Sequence, residues 1–137
     1  MIRFRIARIN IDQFAILTDT LVPENISLNT GVNFMYSIEA RRIACKFDLA
    51  FNDNDIRLLV MGITCEFEFH PDDWQSFVNT DTVSIPGEIL EICVVHTIGT
   101  ARGILFCKTE GTPFSTLILP PIDVAALKIP PIEEKIS

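Results

Sequence analysis

The chain is poor in the residues that chemistry usually needs. Of 137 residues, 2 are His, 1 is Trp, 1 is Tyr and 6 are Gly. It contains no Gly-rich phosphate loop, nucleophile elbow, Cys-x-x-Cys pair or His-Glu-x-x-His pattern, the signatures of nucleotide binding, serine hydrolysis, dithiol exchange and zinc proteolysis. An enzyme is therefore not expected, and neither is a cofactor or metal. Basic residues are scarce too: 11 Lys and Arg stand against 18 Asp and Glu, a net charge of −7, and the cations are scattered. The electrostatic footprint of a nucleic-acid partner is missing. Charged Arg3, Arg5 and Arg8 interrupt the N-terminus, which lacks the apolar core of a secretory signal. No unbroken run approaches the roughly 18 apolar residues of a membrane span. A cytoplasmic protein without membrane insertion is expected. Cys45, Cys65, Cys93 and Cys107 lie far apart within apolar patterns, which fits reduced core thiols better than a disulfide frame.

Apolar surface is what the chain has in excess. Hydrophobic residues make up 48% of it, ten of them Phe. One domain of this length buries a core without staples or metal, yet it has too much surface to hide so many apolar groups. The remainder is expected in an oligomer interface, a ligand groove, or both. The acidic balance keeps such a molecule soluble.

Residues 1–70 read as an antiparallel sheet. Ile2, Phe4 and Ile6 alternate with Arg3 and Arg5 as in a half-buried first strand, expected at a sheet edge. A less regular stretch, Ile9 to Glu24, is expected to pack on the body and to end at Pro23-Glu24-Asn25. Ile26 to Ile38 reads as the second strand, with a bulge expected at Gly31. Ile43, Cys45, Phe47, Leu49 and Phe51 point one way in the third, and Ile63, Cys65, Phe67 and Phe69 do so in the fourth, Ile56 to Phe69. Asn52-Asp53-Asn54-Asp55 between them is turn chemistry. One apolar face results, and it needs a cover.

Residues 71–84 form a crossover connection carrying Trp74, Phe77 and Val78. Ser84 then suits a helix N-cap, with Pro86 in the first turn and Glu88 favoured by the helix dipole. The main helix is placed at residues 85–111, roughly 39 Å from Ile85 to Glu110 at 1.5 Å per residue, enough to cross a sheet. It is apolar on more than one side, so one side is expected on the sheet and another against a second subunit. Gly99 and Gly103 mark a kink or a close helix-to-helix contact. Residues 112–137 are a strap and tail, in which Pro130-Pro131 forbids a long helix and the last few residues are expected to be disordered.

The stretch from Thr100 to Leu127 carries an ordered set of features: Ala101-Arg102, Gly111, Leu117-x-Leu119, Pro121-Ile122-Asp123 and Ala126-Leu127. It resembles the corresponding part of SecB-type protein-export chaperones, in which an aromatic-Ala-Arg-Glu helix and a Gly precede Leu-x-Leu-x-Pro-Val-Asn-Phe and Ala-Leu at the same spacings. Thr100, Gly103 and Val124 depart from that pattern, and Gly111 sits one residue early, so the chain reads as a divergent relative. The resemblance implies an α+β fold, a four-stranded antiparallel sheet with one long helix packed on one face, assembled as a homodimer or homotetramer. It also implies an ATP-independent holdase for non-native polypeptides, either preproteins for export or an antitoxin client. The family's second C-terminal helix has no room after Pro130-Pro131.

By the same resemblance, Trp74, Phe77 and Val78 are candidates for a client-binding groove; the competing reading anchors them in the core. Glu66, beside Cys65, is the candidate contact for the translocase motor, against an ordinary solvated strand carboxylate. Arg102, Gly111 and Pro121 read as structural, because an Arg on an apolar helix demands acceptors such as strap carbonyls or a carboxylate. His70, Asp72 and Asp73 could form a metal or acid–base cluster, but they read better as polar residues ending a strand. His96 reads as a packing residue. The alternative to a holdase is a structural or small-ligand-binding oligomer that keeps the fold without chaperone activity.

Overall fold

The computed structural model describes residues 1–19 and 25–136. The expected break at Pro23-Glu24 lies outside the described residues. Four antiparallel strands, β1 (Phe4–Ile16), β2 (Ser27–Ser37), β3 (Arg42–Asp53) and β4 (Ile56–Phe69), form a sheet in the order β1-β4-β3-β2. Strict alternation builds its centre. Ile43, Cys45, Phe47 and Leu49 on β3 and Met61, Ile63, Cys65 and Phe67 on β4 are buried on one face, with Cys45 opposite Cys65 and Phe47 opposite Ile63. Asn54, at φ +54°, makes the tight turn between them, a conformation Asn tolerates.

The two outer strands differ. β1 continues through Ile16 as one strand, longer than its alternation suggests, because register shifts after Ile6 and after Ile11 break the period of two and leave Ile6, Ile9 and Ile11 exposed. It also carries Arg5, Arg8 and Asp12. β2 pairs with β3 without a register shift, so the bulge expected at Gly31 is not there. Its sequence, Ser27 to Ser37, holds no charged residue.

A one-turn helix, α1 (Pro71–Trp74), leads to a short strand, β5 (Thr82–Ile85), and then to the long helix α2 (Gly87–Thr109). Ser84 is therefore not a helix cap. Residues 82–85 instead pair with β6 (Ile132–Lys135), and Pro86, which has no N–H for the ladder, stands at the cap position. The tail expected to be disordered is a strand for the same reason. α2 packs across β3 and β4 through Leu90, Cys93, Val94, Ile98, Ala101 and Leu105. By length and composition it is apolar enough to cross a membrane, although no unbroken apolar run suggests this. Here its buried side is the cover of the sheet. Gly111 takes φ +76°, where a side chain would be strained, and turns the chain into the strap. The strap runs back through two 3₁₀ turns, Pro113–Thr116 and Val124–Leu127, and buries Phe114, Leu117, Leu119 and Val124.

Cys45, Cys65 and Cys93 lie buried where the sheet meets the helix, and Cys107 is exposed. Burial pushes the Cys45 thiol up to about 11, and raises Cys65 and Cys93 as well. The neutral thiols are thus favoured by folding. Ellman's reagent should modify one thiol, Cys107, in the folded protein and all four after denaturation; rapid loss of two or more in the native state would contradict this core.

Candidate functional site

An uncovered stretch of the sheet makes the site. β2 lies at the edge, and its inward residues Val32, Phe34 and Tyr36 are only half-buried, because α2 passes over β3 and β4 instead. The facing wall comes from the end of the chain: Ile122, Leu127, Ile129, Pro130, Pro131 and Ile132. Phe47 and Ile98 close the bottom. The resulting groove has a volume of about 850 Å³, and among the described residues Glu134 is its one charged lining residue. The Tyr36 hydroxyl donates to the Glu134 carboxylate at 2.8 Å, which holds the phenol pKa above its ordinary value. The lining is mainly apolar, with Thr30, Asn33, Tyr36 and Glu134 as its polar members, and such a surface favours burial of apolar side chains, which is non-directional and does not read a sequence.

Trp74 and Phe77, expected in a groove, do not line it. They are 4% and 5% exposed and pack with Phe69 in a cluster with ring centroids 5.7–5.9 Å apart. Phe69, on the inner face at the end of β4, supplies the platform that draws both rings into the core. The Trp74 indole N–H is buried with no hydrogen-bond partner among the described residues. Val78 is half-buried and bridges to Val83. The crossover connection is thus anchored, and the groove is lined instead by β2 and the tail.

Arg102 reaches the strap: its Nε donates to the Leu119 carbonyl at 2.7 Å and Nη2 to the Pro120 carbonyl at 3.0 Å. Pro121, exposed, follows with its φ fixed, which keeps the strap extended past these acceptors. One guanidinium therefore ties the helix to the segment that leads into the groove wall.

Glu66 lies on the outer face, within 3.3 Å of Arg42 and 3.7 Å of Arg8. Glu68 is flanked by Arg42 and Arg5, whose hydrogen bonds hold its carboxyl below the usual range. The outer face is a lattice of matched charges. At the end of β4, His70 Nδ1 accepts from the Asp72 N–H at 3.2 Å as an N-cap, and Asp73 accepts from the Arg3 N–H and guanidinium at 2.9 and 3.0 Å. The Arg3 hydrogen bonds lower the Asp73 pKa. Among the described residues no group of His, Cys, Asp and Glu is placed to hold a metal ion. His96 is exposed on the helix and sits edge-on to Phe4 at 5.7 Å.

An antiparallel sheet covered by one long helix and a returning strap defines a SecB-like fold. A Mycobacterium tuberculosis structure shares it: the Rv1957 SecB-like chaperone in complex with a ChAD peptide from the Rv1956 HigA1 antitoxin. The TM-score is 0.50 over 90% of each chain, at 11% sequence identity, so the likeness is one of fold. No protein-family profile and no curated protein matches the chain.

Trp74→Ser and Phe77→Ser should each lower stability by about 3–5 kcal/mol, the cost of emptying a large aromatic site in a core. Thermal unfolding checks this. A variant that keeps its melting temperature would return these residues to the surface.

Proposed function

We propose that this chain is an ATP-independent holdase that binds extended, non-native polypeptide in the groove between β2 and the tail. The observation that carries the reading is the mainly apolar groove bounded by Val32, Phe34, Leu127 and Ile129, with Glu134 the one charge in its lining among the described residues. The fold supports it, being that of a SecB-like chaperone seen with an antitoxin peptide. The client is a preprotein or an antitoxin, and an antitoxin-derived peptide is the first to try. Work in the cytoplasm suits the neutral buried thiols. A contact between Glu66 and a translocase motor would have to compete with Arg42 and Arg8 for that carboxylate.

Self-association belongs to the same reading. On the face of α2 away from the sheet, Ile92, Val95 and Phe106 are 40–54% exposed. Between them, Gly99 and Gly103 have no atom within 4 Å of where a Cβ would stand. This flat apolar stripe suits a helix of a second subunit approaching closely, in a homodimer or a dimer of dimers. Phe106→Glu should halve or quarter the mass measured by light scattering while leaving the circular dichroism unchanged; an unaltered mass would move the interface elsewhere.

The function is tested by suppression of aggregation of a chemically unfolded, slowly refolding protein, without ATP. The wild type should suppress it at near-stoichiometric ratios. Val32→Ser with Leu127→Ser should weaken capture by about tenfold or more, as expected when one or two client contacts worth about 1.5–3 kcal/mol each are lost. A well-folded wild-type oligomer that suppresses nothing would favour the structural or small-ligand alternative.

A further inference from the structure

The wall of the groove formed by residues 129–134 belongs to neither the sheet nor the helix. It begins at Lys128, which takes φ +51°, a left-handed conformation uncommon for a residue with a Cβ. Pro130 and Pro131 follow and fix two successive φ angles, so the segment is stiff beyond its turn. Three contacts hold it on its own side of the groove. β6 pairs with β5 over four residues, and the Ile136 N–H donates to the Asp81 carbonyl at 2.7 Å. The Ile129 carbonyl sits so close to Gly87 that a Cβ there would lie 2.7 Å from it. Among the described residues, one hydrogen bond spans the groove, from Tyr36 on β2 to Glu134 on β6.

These attachments are weak beside the core. A two-stranded ladder is at best marginally stable by itself, and no residue of β6 is fully buried. Segments with few buried contacts open locally at lower free energy than the strands beneath them. The Tyr36 hydroxyl and the Glu134 carboxylate, however, join the two walls of the groove.

We propose that residues 128–136 are a hinged strap, latched across the groove by the Tyr36–Glu134 hydrogen bond, and that the latch must open for the groove to admit polypeptide. The proposal rests on the holdase reading. Once the latch opens, water satisfies the hydroxyl and the carboxylate at little net cost, while the apolar contacts of the groove drive capture. In the free protein the latched population lowers the apparent affinity by the fraction that is open.

The test uses the full chain with Tyr36→Phe, which removes the hydroxyl and keeps the ring, and independently Glu134→Ala. Without any client, hydrogen exchange read by mass spectrometry should speed up by about threefold or more in peptides covering 129–136 and 80–85, with β3 and β4 unchanged. With reduced, carboxymethylated α-lactalbumin as the unfolded probe, both variants should bind about threefold to tenfold more tightly than the wild type. Unchanged exchange in the tail overturns the latch. Faster exchange with equal or weaker probe binding overturns the gating, and leaves the strap as a passive wall. No probe binding by wild type or variants, with a faster tail, overturns the holdase reading and the gating together, while the exchange data still register the hydrogen bond. The two failures are thereby told apart.

Discussion

One helix cannot cover four strands, and the architecture follows from that mismatch. A helix is about 10–12 Å across with its side chains, whereas four strands at about 4.8 Å spacing make a sheet about 19 Å wide. α2 settles over the two central strands, where Ile43, Phe47, Ile63 and Phe67 are fully or almost fully buried. The flanks must be covered by something else or left open. On the β1 side Phe4 turns inward against Phe67 and His96. On the β2 side the strap and tail arrive from beyond the helix, and they stop short. The groove is what remains of that deficit.

Arg102 matters because it decides where the strap arrives. Its two hydrogen bonds to consecutive carbonyls satisfy acceptors that would otherwise run unpaired along an extended, proline-containing segment. They also fix the line along which Ile122, Val124 and Leu127 descend. The structural core of the molecule and the groove are therefore coupled at one side chain.

Much of the sheet was legible because its central strands obey a period of two from Ile43 to Leu49 and from Ile63 to Phe69, and the Asn-Asp turn has a mechanism of its own. α2 begins two residues later than its sequence suggests, since Ser84 is claimed by a strand partner almost fifty residues away. That pairing, Thr82 to Ile85 with Ile132 to Lys135, leaves no local trace: four residues are too few to show a period, and their partner is set by where the tail returns. β1 was half legible, because its register shifts scramble the pattern after Ile6. Trp74, Phe77 and Val78 left two readings open, groove and core anchor, for a different reason. Trp74 and Phe77 are as apolar as any groove lining, and only the position of Phe69 tells that they point inward. The groove residues Val32, Phe34 and Tyr36 alternate visibly in the sequence, but alternation marks an inner face without saying whether anything lies upon it. The SecB-like fold was legible in the ordered residues from Ala101 to Leu127.

The two sheet edges have a colloidal consequence. β1 is protected by bulges and by charges of both signs, the local devices that keep strands of different molecules from zipping together. β2 presents eleven residues in regular register with no charge among them. What separates one copy's bare edge from another's is the net charge of −7 carried by the rest of the chain, a repulsion that acts at a distance and is screened over about 8–10 Å at physiological ionic strength. Among the described residues β2 has neither charge nor bulge of its own, so concentrated salt weakens the repulsion that keeps two such edges apart.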